Sequence, residues 1–262
     1  MNVDTSPLPL PQTKAPNLIA VASGKGGVGK TWFAVTLVHA LALSGRRALL
    51  FDGDLGLANV DIQLGLTPQH DLGQVIAGRM TLNQVVTRFE EGGFSIIAGR
   101  SGSGGLATLA SGRLAQLGHD IAEFARDYDE VVLDLGAGLD RTVRILASQA
   151  GICLVVVTGD PTSLTDAYAF IKVTSMADRS ADLRVVVNLA ESHREGEQVY
   201  QKLLKACQGF LKISPPLAGV IRRDKKVAES IRNQTPLLTR YPNCEAAQDV
   251  MELAARLRQR PR

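Results

Sequence analysis

The chemistry of this chain is concentrated between Ser23 and Thr31, in the run SGKGGVGKT. Gly24, Gly29, Lys30 and Thr31 satisfy the spacing G-x-x-x-x-G-K-[ST], and the apolar run Leu18 to Ala22 reads as a buried strand leading into it. Gly24, Gly26, Gly27 and Gly29, with Val28 among them, let backbone N–H groups turn onto phosphate oxygens, and the following helix adds its positive end. Lys30 supplies a neutralising charge, and the Thr31 hydroxyl can ligate magnesium. A magnesium-bound triphosphate is the expected ligand; an ordinary glycine-rich turn is the competing reading. Lys25, a second lysine inside the loop, is not explained by the simple pattern.

Three carboxylates fall where they could serve such a ligand. The segment FDGDLG delivers Asp52 and Asp54 at the end of an apolar run, the end at which open α/β sheets place their ligands. Glu130 to Asp134 is a second apolar run capped by an acid, followed by Leu135-Gly-Ala-Gly138. A carboxylate there is a usual second support for magnesium, and the glycines permit close approach to a γ-phosphate. Taken alone, Asp134 could equally be an ordinary strand-end residue.

The elements that must position these groups follow from periodicity. Thr31 to Ser44 carries Phe33, Ala34, Leu37, Val38, Leu41 and Ala42 at helical spacing, predicting one buried face, and Gly45 ends it. Strands are predicted at Arg47–Asp52, Phe94–Ala98, Glu130–Asp134, Ile152–Val157, Leu183–Val187 and Leu217–Ile221, with Ile152–Val157 the most apolar and expected at the centre. Helices are predicted at 111–126, 140–150, 165–176, 195–210, 224–233 and 245–257, with short helices and loops between Leu55 and Gly93. SGSGG (Ser101 to Gly105) has no lysine behind it and reads as a linker. Strand-then-helix order predicts an α/β fold: a single doubly wound, mostly parallel sheet with helices on both faces and right-handed crossovers.

At 262 residues this alternation favours one domain, 17–262, behind a flexible proline-rich arm over residues 1–16. A net charge of +3 selects no partner. Cys153, Cys207 and Cys244 lie far apart without a C-x-x-C pair, which argues against a zinc site or a disulfide framework. No secretion signal and no apolar run near the ~18 residues of a membrane span is present, so a cytoplasmic protein is expected.

These motifs carry a family likeness. KGGVGKT with Lys25, the DGD of the second strand and the LDLGAG of the later one resemble the deviant phosphate-loop ATPases of the MinD/ParA group, which have a SIMIBI-like P-loop NTPase fold. GDPTSLTDAYAFIKV, VVVNLAES and GVIRRDKKVAESIRNQTPLL look most like the flagellar-number regulators of the FlhG/FleN subfamily. The likeness spans about Asn17 to Leu257. It implies ATP and Mg²⁺ as ligands, and slow hydrolysis in an ATP-dependent homodimer where Lys25 reaches the partner's nucleotide. A triphosphate holds more charge than one loop neutralises, so a donated lysine makes dimerisation depend on nucleotide. Residue by residue, the resemblance gives Lys30 the β- and γ-phosphates, Thr31 the magnesium and Asp134 the metal through water. It gives Asp54 the attacking water and Asp52 support of the metal shell, with the swap of these two a competing assignment. Asn188 matches an adenine-contacting asparagine, and Arg222 stands where a proline often shapes the adenine pocket. Trp32 and Leu135 also depart from the pattern, and these departures bear on base contacts and rate.

The implied role is regulation of flagellar number or placement through a FlhF-like GTPase or a transcription regulator, with cell-pole placement reached through partners. The arm lacks the Gln- and Arg-containing helical motif by which FlhG proteins stimulate their GTPase. Residues 245–262 place Ala247, Val250, Met251, Ala254 and Leu257 on one face without an aromatic anchor, which predicts core docking and weak or indirect membrane contact. Arg222, Arg223, Lys225 and Lys226 keep a ParA-like DNA-binding ATPase as the rival. An iron-protein-like reductase lacks its cluster cysteines here, and a cofactor-synthesis ligase is disfavoured only modestly by Lys25.

Overall fold

A computed structural model of the chain describes residues 14–54, 56–99 and 111–258. The expectations for residues 1–13, for SGSGG and for residues 259–262 lie outside the described residues. The first strand, β1 (Ala15–Ser23), starts within the arm expected to run to residue 16, and Lys14 ahead of it is tied to Asp178 at 2.6 Å.

Period-two burial on both faces explains the layers. In β1, Leu18, Ala20 and Ala22 join one core cluster while Ile19 and Val21 join the other. Side chains alternating across a pleat are thereby covered on each side. The same alternation runs through β2 (Ala48–Gly53), β5 (Glu130–Ala137) and β6 (Ala150–Val157). With β3 (Val86–Phe89), β4 (Phe94–Ile97), β7 (Leu183–Ala190) and β8 (Leu217–Arg222), these strands form one sheet ordered β3-β4-β2-β5-β1-β6-β7-β8. All neighbours are parallel except β3 and β4. The expected centre shifts: β5 and β1 occupy the middle, and β6 lies one place out. Strand β3 was not anticipated, because only Phe89 of its four residues is buried and no alternation marks it.

One face carries α1 (Lys30–Leu43), α2 (Val60–Leu64), α9 (Leu237–Arg240) and α10 (Glu245–Arg258). The other carries α3 (Leu72–Ile76), α4 (Ser111–Phe124), α5 (Arg141–Ser148), α6 (Pro161–Ala177) and α7 (His193–Ala206). Helix starts are chemically marked: Asp140, Asp160, Ser192 and Asp224 each accept from a backbone N–H in the first turn of α5, α6, α7 and α8 (Lys225–Arg232), respectively. Helix α1 is the main departure from expectation. Every residue from Trp32 to Leu41 is buried, not one face alone, because α9 and α10 pack over the side turned away from the sheet. Helix α10 docks in the core as its spacing predicted, but through Ala246, Ala247, Val250, Leu253, Ala254 and Leu257; Met251 is exposed.

Candidate functional site

The loop between β1 and α1 needs backbone that only glycine adopts freely. Gly27 and Gly29 have φ of +78° and +86°, the left-handed region. Contacts from distant segments close around the loop. A Cβ on Gly24 would lie 2.2 Å from the Asp166 carbonyl oxygen of α6, and one on Gly29 would lie 2.5 Å from Asn188 Nδ2. The Asn188 amide donates to the Val28 carbonyl at 2.8 Å, and its Oδ1 is buried with no partner among the described residues. Val28 is buried, while Gly26 and Gly27 stay exposed at the loop's crest.

Parallel pairing of β2 with β5 sets Asp52 directly beside Asp134. Both carboxylates are fully buried, and burial raises both pKa values. Asp52 is pushed up to about 7 by desolvation and then by the Asp134 charge. Asp134 is pushed up to about 6 by desolvation, opposed by the positive charge of Lys30 and a hydrogen bond from Thr31. Asp134 Oδ1 has no partner among the described residues. An unsatisfied anionic oxygen beside a hydroxyl and a nearly buried lysine is a donor set suited to a hydrated magnesium ion. The residues therefore fit magnesium, with Thr31 and Asp134 as the groups that would hold it.

Asp52 differs. Its Oδ1 accepts from the Asp54 N–H and its Oδ2 from the Asn59 and Val60 N–H groups, all at 3.2 Å. Metal-shell support was expected of this carboxylate, yet its hydrogen bonds run to the backbone that follows it. Asp54 lies beside the end of β5, with Oδ1 3.4 Å from where a Gly136 Cβ would be, and accepts from the Gly56 and Leu57 N–H groups.

Lys25 is held inside its own subunit. Its Nζ lies 2.7 Å from Asp160 Oδ2 and also donates to Thr162 Oγ1, both at the start of α6. That contact holds the exposed Asp160 carboxyl down to about 2. Sequence reasoning did not single out Asp160, although Asp-Pro at residues 160–161 is a helix-start signal that could have found it. Arg222 is paired within the chain as well. Its Nε and Nη2 lie 3.0 and 2.9 Å from Asp249 oxygens, its Nη1 pairs with Glu245, and its backbone N–H donates to Asp249, so the residue expected beside the adenine also clamps α10. Trp32 is buried with its indole N–H unpartnered among the described residues, and Leu135 is a core residue.

A glycine cradle at the carboxyl edge of a mostly parallel sheet, with a buried carboxylate of the neighbouring strand β5 meeting its threonine, defines a phosphate-loop nucleotide-binding α/β protein. Residues 19–237 match the CobQ/CobB/MinD/ParA nucleotide binding domain, and the chain belongs to that family. It is 39% identical over 230 residues to the antiactivator FleN of Pseudomonas aeruginosa, covering 88% of this chain and 82% of FleN. It is 28% identical to the flagellum site-determining protein YlxH of Helicobacter pylori, covering 91% and 81% of the two chains. The structure of the septum site-determining protein MinD of Pyrococcus horikoshii, complexed with Mg-ADP, superposes with a TM-score of 0.78 at 25% identity, covering 95% of this chain and 97% of that one. The chain is thus an ATPase that uses ATP and magnesium, in the group that includes septum- and flagellum-site-determining proteins, and the likeness to the FlhG/FleN regulators is borne out. No helix among the described residues is long and apolar enough to cross a membrane.

Proposed function

We propose that this ATPase is a dimerisation switch: ATP couples two copies, hydrolysis releases them, and the coupled form regulates flagellar number or placement through a protein partner. The observation that carries the switch is Lys25, a charge beyond what a phosphate loop needs, held in the monomer by the exposed groups Asp160 and Thr162. An ion pair this exposed contributes little stability, so exchanging it for a second copy's triphosphate costs little. The flagellar assignment rests on the 39% identity to the antiactivator FleN, and a transcription regulator or FlhF-like GTPase is the partner class it suggests. Residence at the cell pole would follow from that partner.

In this reading Lys30 and the N–H groups of 26–31 bind the β- and γ-phosphates, while Asn188 Oδ1 accepts from the adenine amino group. Bound magnesium would draw charge from the phosphates. Asp54 orients the attacking water. Positioning and electrostatics suffice for phosphoryl transfer, so no covalent nucleophile is required.

Light scattering of two variants tests the switch. Asp54→Ala should bind ATP and accumulate as a dimer, whereas Lys25→Ala should bind ATP and stay monomeric. Equal dimerisation of Lys25→Ala and the unmodified chain would remove the role given to Lys25. The rival reading, a DNA-bound positioning ATPase, draws on the basic cluster after β8. Three of its four members are ion-paired, Arg222 to Asp249, Arg223 to Glu191 at 2.8 Å and Lys226 to Glu229 at 2.9 Å, which favours the protein-partner reading. Salt-dependent retention on nonspecific duplex would reverse that preference.

A further inference from the structure

We infer that Asp52 is a positioning residue that straps down the segment carrying Asp54, and not a member of the magnesium shell. This rests on the hydrolytic role proposed for Asp54. Asp52 is the penultimate residue of β2, its side chain is fully buried, and its two oxygens take three backbone N–H groups. One bond fixes the start of the segment at Asp54, and two fix its far end at Asn59 and Val60, where α2 begins. Asn59 is the N-cap of α2 but makes no side-chain cap, so the Asp52 carboxylate takes over the orphan N–H groups of that helix start. Its surroundings are closed as well: a Cβ on Gly99 would lie 2.5 Å from Ala58 Cβ and 3.1 Å from Asp52 Cγ.

The strap has a chemical logic. A carboxylate that accepts on both oxygens can hold two ends of one segment at once, which an amide cannot, since its nitrogen only donates. Of the two, only Asp134 then has an oxygen without a partner among the described residues to face a hydrated ion. The pair that looks like two metal carboxylates in the sequence is split into one group for the metal and one for the backbone bearing Asp54.

The test compares Asp52→Ala and Asp52→Asn with the unmodified chain and with Asp54→Ala, measuring ATP hydrolysis across ATP and Mg²⁺ titrations. Both Asp52 variants should lose roughly tenfold or more in kcat, with KM for ATP and half-saturating Mg²⁺ within about threefold of the unmodified chain, the split that marks lost positioning. Amide exchange should show Asp54, Asn59 and Val60 losing protection while Leu49 to Phe51 keep theirs. A tenfold rise in the Mg²⁺ requirement would return Asp52 to the metal shell, and unchanged kcat or unchanged exchange would also overturn the strap. Unfolding of both variants would make Asp52 a core cap and defeat the proposal. If Asp54→Ala hydrolyses at full rate, the role of Asp54 has failed first, and the strap has nothing to position.

Discussion

A methyl group at Gly24 would meet the Asp166 carbonyl oxygen at 2.2 Å, a backbone atom inside α6 that cannot swing aside. The phosphate loop and the first turns of α6 are therefore one packed unit, joined again by Lys25 to Asp160. Gly24→Ala should push the loop and helix apart and weaken ATP binding by tenfold or more, read by calorimetric titration. Gly27, at φ +78° with open space around it, differs: Gly27→Ala meets no clash and carries only the strain of a left-handed alanine, about 1 kcal/mol. A smaller loss of affinity at Gly27 than at Gly24 is the expected order. The loop glycines were legible from their spacing, but their separate reasons were not. The partner of Gly24 lies far along the chain, and no local pattern names it.

Among elements, α10 decides how the sheet is closed on the α1 side. Leu253 is fully buried, and a Cβ on Gly219 of β8 would lie 2.8 Å from its Cδ1, so the helix sits directly on the strand backbone. Arg222 at the end of that strand fastens the same helix through Asp249 and Glu245. Leu253→Ala should cost about 2–5 kcal/mol in urea denaturation, the usual range for a cavity left in a core. Met251→Ser, two residues earlier on the exposed side of the helix, should stay within about 0.5 kcal/mol. The helical spacing of residues 245–257 identified the element and its docking. It misassigned Met251 and passed over Ala246 and Leu253, because an apolar side chain on the stripe's edge can face either way until the neighbouring strand is in place.

At the scale of the whole molecule, buried His39 couples α1 to β4 through Phe94, with ring centroids 5.9 Å apart. Desolvation lowers its pKa from 6.5 to about 4. The unfolded chain therefore binds more protons than the folded one between those values, and stability conferred by neutral His39 is complete above pH 6.5 and is lost as pH falls towards 4. The loss is at most about 3 kcal/mol. Asp52 and Asp134, whose pKa values are raised, tilt stability in the opposite direction as carboxyls that the fold prefers protonated. The contribution of His39 is thus the difference between the unmodified chain and His39→Leu in denaturant titrations from pH 4 to 7. That difference should shrink with acid. Ligand binding adds a second global term: ATP with magnesium at a hundredfold excess over Kd should stabilise the chain by about 2.7 kcal/mol, and Lys30→Ala should abolish most of that gain in a thermal melt.

The chain's covalent order alone determined the phosphate loop, the acids carried by its second strand and by β5, nearly every helix and strand, and the two-sided burial of the sheet, although β5 runs three residues past the expected end at Asp134. Each of these depends on residues a few positions apart: glycine spacing, period-two or helical apolar patterns, and cap residues such as Asp224. Tertiary structure alone decided which strands are neighbours, and with that the chemistry of the site. Crossovers set β2 beside β5, so Asp52 and Asp134 press like charges together and only one keeps an oxygen free. They also carry the start of α6 to the loop, so that Lys25 closes on Asp160 across 135 residues of chain. Such contacts depend on how far-apart segments pack, a quantity that no local run of residues encodes.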